Sequence, residues 1–156
     1  ESSDKDLISQ FEFLIKVRNT ISNTSKIINK CIILRSQITD CVNKLSQKEK
    51  EYKKIIKNKD NFLKKLSDLE NNLIDYNTIQ GYDRLSSPAT LYIKIRELAF
   101  VPSLSDDKPT DQAVNVLNYI SHELDKKFKL FEKLTNEDLK LLIKDFENVS
   151  LPIIKI

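Results

Sequence analysis

Residues able to do chemistry are sparse in this chain. Its one histidine, His122, stands between Ser121 and Glu123. A serine or cysteine nucleophile needs a base within hydrogen-bond reach, and the only imidazole available falls on the polar side of a helical pattern. Two carboxylate pairs, Asp106 with Asp107 and Glu137 with Asp138, flank helix starts, where acids ordinarily serve the helix dipole. General-acid work needs burial to raise a carboxyl pKa, and neither pair lies in an apolar setting. Cys31 and Cys41 are the only thiols. On one helix, ten residues place them about 15 Å apart, beyond the roughly 7 Å limit for a disulfide. They read as small buried hydrophobes, and His122 cannot complete a metal site with them. No catalytic residue, metal site or cofactor site is therefore expected.

The most uneven charge runs from Lys44 to Lys65. Nine lysines (Lys44, Lys48, Lys50, Lys53, Lys54, Lys57, Lys59, Lys64 and Lys65) meet three acids there, Glu49, Glu51 and Asp60. Lys50, Lys53, Lys54, Lys57 and Lys64 form the candidate interaction face, since phosphate contacts need such clusters. Nucleic acid is disfavoured as the partner, because the window holds no arginine and no interleaved exposed aromatics, and its lysines fall on several sides of a helix.

These residues must be carried by helices. There is a single glycine, Gly81, among 156 residues, with four prolines and no methionine or tryptophan. Average usage would supply roughly eleven glycines. Propellers, Greek-key sandwiches, Rossmann units and phosphate-cradling loops all need glycine at turns, so the scarcity excludes them. Apolar residues at 40% and charged residues at 31% suit a folded core. The formal charge of +3 gives no global field. No apolar run nears the roughly 20 residues of a membrane span. A start on Glu1 without methionine suits a mature fragment or an excised domain.

Periodicity predicts a single domain over residues 1–156, with helices near 4–45, 48–76, 88–99, 110–134 and 136–147. In the first, Leu7, Phe11, Leu14, Ile21, Ile28 and Ile32 form a stripe that changes phase near Cys31 into Leu34, Ile38, Cys41 and Leu45. Ser2 or Ser3 caps it, and the Ser, Thr and Asn residues between Asn19 and Ser25 are a candidate bend. The second helix buries Tyr52, Ile55, Ile56, Phe62, Leu63, Leu66, Leu69 and Leu73, and its outer side offers Glu49–Lys53 and Asp60–Lys64 pairs. A loop centred on Gly81 follows, and Ser87-Pro88 opens the third helix, read as helix rather than strand for want of a strand partner. Thr110 caps a stripe of Ala113, Leu117, Ile120, Leu124, Phe128, Phe131 and Leu134. Thr135 and Asp138 resemble a capping box, so the last helix, with Leu139, Leu142 and Phe146, starts afresh there or continues through a kink. The fold class is all-α: a long antiparallel hairpin completed to a three- to four-helix bundle.

Several strings resemble a known family. Asp6-Leu7-Ile8-Ser9-Gln10-Phe11, Ile15-Lys16-Val17-Arg18-Asn19, Ile28-Asn29-Lys30, Leu69-Glu70, Leu73-Ile74, Lys108-Pro109-Thr110 and Leu151-Pro152-Ile153 are similar, in order and spacing, to the helical C-terminal region of bacterial sortilin-like (VPS10-like) BNR-repeat propeller proteins, often labelled glycosyl hydrolases. The resemblance implies a non-catalytic accessory domain following a propeller in an exported or periplasmic protein. It also implies the parent propeller as one partner, with any hydrolase activity belonging to that propeller. Self-association into a homo-oligomer is a further expectation, since a hairpin apolar on two sides can complete its core with a second chain. The alternative is a stand-alone helical adaptor that binds an acidic partner or nucleic acid through the lysine face.

Overall fold

A computed structural model describes residues 3–43, 52–76, 89–100 and 107–149. They form an all-α helical bundle, with no strand among the described residues. The helices are α1 (Asp4–Asn43), α2 (Lys53–Leu73), α3 (Leu91–Phe100), α4 (Asp111–Lys133) and α5 (Leu139–Glu147), the last two joined by a π-helical turn, Leu134–Asp138. The Gly81 loop, the Ser87-Pro88 start, Leu45 and the Glu49–Lys53 pair lie outside the described residues.

Helix α1 starts at a reciprocal cap. The Ser3 hydroxyl accepts from the Asp6 amide at 3.3 Å, while the Ser3 amide and hydroxyl donate to the Asp6 carboxylate at 3.1 and 2.6 Å. These bonds, with a smaller contribution from the charge of Lys108, hold the Asp6 carboxyl below its ordinary range. The candidate bend over residues 19–25 does not occur, and α1 runs unbroken through them, as the continuous helix near 4–45 anticipates. Thr20 and Thr24 donate their hydroxyls to the Lys16 and Thr20 carbonyls at 2.9 and 2.8 Å. A threonine bonded in this way leaves no unsatisfied polar atom, so Thr24 can be fully buried.

That burial revises the N-terminal part of the expected stripe, whereas Ile28, Leu34, Ile38 and Cys41 are buried as expected. The inner face of α1 carries Phe13, Val17, Thr24, Ile28, Cys31, Leu34, Ile38 and Cys41, all buried, with Thr20 half-buried between them. Successive members are three or four residues apart, a mean close to 3.5, so the buried stripe drifts gradually around the helix, with no abrupt phase change near Cys31. Leu7, Phe11 and Ile32 lie outside it and are exposed.

Two compact units divide the chain, Glu1–Lys26 with Asn71–Lys127, and Ile27–Glu70 with Phe128–Ile156. In the first, Ile95 of α3 and Leu117, Ile120 and Leu124 of α4 are buried with Phe13 and Val17. The Ser25 hydroxyl meets the Tyr92 hydroxyl at 3.3 Å, and the Arg96 guanidinium lies over the Tyr92 ring at 5.8 Å. Thr110 caps α4 as expected, accepting from the Ala113 amide at 3.1 Å. In the second unit, Leu66 and Leu69 of α2 are buried with Leu34, Ile38, Phe131, Leu134, Leu139, Leu142 and Phe146. Arg35 reaches Ser67 and Glu70, while Cys31 lies near Glu70, the reversed order of an antiparallel pair.

The capping-box reading at Thr135 is corrected. Its hydroxyl donates backward to the Phe131 and Glu132 carbonyls, both at 3.0 Å, and Asp138 makes no cap bond. The backbone stays helical, and the Leu139 amide reaches back to the Leu134 carbonyl. Leu134 and Leu139 are five residues apart, out of phase for an α-helix. The wider π turn returns both to the buried side. The expected Asp60–Lys64 pair is also absent, and Asp60 instead meets Lys59 at 2.8 Å.

Glu70 is 1% exposed and paired with the half-exposed Arg35, which also donates to the Ser67 hydroxyl at 3.2 Å. A buried carboxylate deprived of its cation is far costlier than a lost surface pair. Arg35→Ala should therefore lower stability by about 3 kcal/mol in denaturant titrations. A loss under about 0.5 kcal/mol would mark the contact as an ordinary surface pair.

Candidate interaction surfaces

The residues singled out for chemistry do not converge. His122 is exposed on α4. Its neighbour Glu123 accepts from Lys126 at 2.7 Å, a bond that chiefly holds its carboxyl below the ordinary value. Asp107 and Glu137 are exposed, Asp106 lies outside the described residues, and Asp138 pairs with Lys65 at 2.8 Å. No cluster of three or more potential metal ligands occurs among the described residues. Among them, too, no helix is long and apolar enough to cross a membrane.

Both cysteines are buried, as their positions on the stripe predict, and neither is in a disulfide. The Cys31 thiol is pushed up to about 12, first by burial and then by the nearby Glu70 charge, with Arg35 opposing weakly. It is a structural thiol, since nucleophilic cysteines need the opposite shift.

Of the lysine face, Lys53, Lys54, Lys57 and Lys64 are exposed on α2, and Lys50 lies outside the described residues. At 100° per residue, Lys53, Lys57 and Lys64 fall within about 40° of one another, with Lys54 and Lys65 on one flank. This arc lies opposite buried Ile55, Phe62, Leu66 and Leu69. Lys54, Lys65 and, on the other side, half-buried Lys59 lie off this arc, so the lysines do fall on several sides of the helix as expected. The arc is not purely basic: Asp60 and Asp68 share it. A shallow hollow of about 350 Å³ along it is lined by Lys53, Ile56, Lys57, Asp60 and Asn61.

Between α2 and α5 is a cleft of about 190 Å³, floored by Phe62 and Leu142 and edged by exposed Leu141. Four of its polar side chains pair with one another. Asn58 donates to Asp145 at 2.7 Å, and Lys65 pairs with Asp138 across the other end. These bonds tie α2 to α5 and to the π-helical turn before it.

The surface that sequence reasoning misplaced is on the first four turns of α1. Ile8 and Phe11 are 58% and 66% exposed, Leu7 is 42% exposed, and Leu14 and Ile15 are half-buried. Ile8, Phe11 and Ile15 share one side of the helix, directly away from Phe13, Val17 and Thr24. The expected stripe placed Leu7, Phe11 and Leu14 in the core and left Ile8 and Ile15 out of account.

Comparison of the chain with family models, with curated proteins and with solved structures returned no match. The sortilin-like resemblance thus rests on the quoted strings alone.

Cys31 generates a pH dependence of known sign. The unfolded chain releases the thiol proton from about 9 upward, while the folded chain keeps it to about 12. The stabilisation is fully present below pH 9 and is lost as the pH climbs beyond it. In a Cys41→Ala background, Cys31 should resist maleimide at pH 8 until denaturant is added, and stability should fall more steeply above pH 9 than in Cys31→Ala. Rapid native labelling would contradict this environment.

Proposed function

We propose that this chain is a non-catalytic helical interaction module that docks through the outer face of the N-terminal turns of α1. The observation that carries the reading is the exposure of Ile8 and Phe11 beside Leu7, on the side of α1 turned away from its own core. Large side chains cluster there at helical spacing, whereas scattered exposed apolar residues would need no partner. The first unit then acts as the support, since burial of Phe13 and Val17 on the opposite side fixes how the outer residues are presented.

The propeller-bearing parent and the exported setting are part of this proposal on the strength of the sequence resemblance. A second reading, an adaptor for an acidic partner, is favoured by the alignment of Lys53, Lys57 and Lys64 on one arc. The acids Asp60 and Asp68 on that arc and the Lys65–Asp138 pair weaken its field.

Benzoylphenylalanine placed at position 11 or at position 57, in the cells from which the chain comes, separates the two. The module reading expects a discrete photo-adduct from position 11 and none from position 57. Adducts from position 57 alone, or from neither position, would overturn it.

A further inference from the structure

The outer face of α1 has an internal symmetry about Phe11. Apolar residues stand three and four positions before it, Ile8 and Leu7, and three and four positions after it, Leu14 and Ile15. Seven positions before Phe11 is Asp4 and seven after is Arg18, both exposed and of opposite charge. At 100° per residue, Asp4 and Arg18 lie within about 40° of Phe11 and continue its side of the helix. Arg18 keeps its guanidinium outside, donating to the neighbouring Asn19 side chain at 3.0 and 3.3 Å.

A two-fold axis through Phe11 maps each position onto its mirror in the count. Antiparallel pairing of two copies would stack Phe11 on Phe11, set Leu7 and Ile8 against Ile15 and Leu14, and bring each Asp4 to the other copy's Arg18. A parallel pairing would oppose Asp4 to Asp4 and Arg18 to Arg18. Closed two-fold interfaces require this kind of self-complementary patch. We therefore infer that the outer face of α1, from Asp4 to Arg18, pairs antiparallel with the same face of a second copy of this chain. This inference rests on the docking reading above and names its occupant.

The patch is short, about 21 Å along the helix at 1.5 Å per residue. So short a face belongs with the small interfaces of transient complexes, and the dimer is weak, with a Kd of roughly 10 to 1,000 µM. The two symmetry-related ion pairs sit at the rim and set orientation more than affinity.

Sedimentation equilibrium of the chain from 5 µM to 1 mM, at low ionic strength, tests the inference. Reversible dimerisation is expected, and Phe11→Lys should weaken it at least tenfold while leaving the thermal transition of the monomer unchanged. Asp4→Arg and Arg18→Asp should each weaken association about tenfold by placing like charges opposite one another. The double variant D4R/R18D should return to within about threefold of the parent, because its charges again oppose. A strictly monomeric chain at 1 mM would overturn the inference, as would a dimer in which the double variant is weaker than either single one. A monomeric chain whose position-11 photo-adduct contains a different protein would sink the homodimer while leaving the docking reading intact. Absence of both would sink the two together.

Discussion

The structure depends on one constraint, that a helix of forty residues keep a single face dry. From Phe13 to Cys41 the inner positions of α1 recur at a mean spacing near 3.5, so the buried stripe drifts only gradually along its described length. Within each unit, the remaining helices present their own apolar stripes to the interior that this face helps to fill. Leu117, Ile120 and Leu124 do so in one unit, and Leu66, Leu69, Leu142 and Phe146 in the other. Because the inner face is fixed, the outer face is fixed as well, and that is where the proposed docking surface lies.

The buried polar side chains Thr24 and Glu70 both have bonds made inside this core. Thr24 satisfies its hydroxyl on the preceding turn and so occupies a seam position at little cost. Glu70 is held against Arg35, and its charge in turn helps to keep Cys31 protonated. One buried carboxylate thus links helix pairing in the second unit to the inertness of its thiol. The same economy explains the π turn before α5, which brings Leu134 and Leu139 to one side without breaking the helix.

Much of this was legible in the residues. A single glycine ruled out turn-rich folds, and the stripes of α2, α4 and α5 were read onto the correct side, from Leu66 and Leu69 through Leu117 and Leu124 to Phe146. The failures share a physical cause. Hydrophobicity alone passes over Thr20 and Thr24, so the periodic reading of α1 took Leu7, Phe11 and Ile32 for the core and introduced an abrupt phase change that the helix does not have. The Ser, Thr and Asn residues between Asn19 and Ser25 suggested a bend, because the competition between side chain and backbone is visible in sequence while its resolution through backward bonds is not. Glu70 gave no signal either, since an acid at the edge of an apolar stripe reads as solvated until its cation is placed.

Phe11 and Phe13 differ by two positions in sequence and by opposite faces of the helix, so they test the central claim most directly. Alanine substitution at each, followed by chemical denaturation at low micromolar concentration, compares the faces in one background. The account predicts a loss of about 3 to 5 kcal/mol for Phe13→Ala and under about 0.5 kcal/mol for Phe11→Ala. Equal losses, or a larger one at Phe11, would show that α1 is turned the other way and would contradict both the core and the proposed docking face.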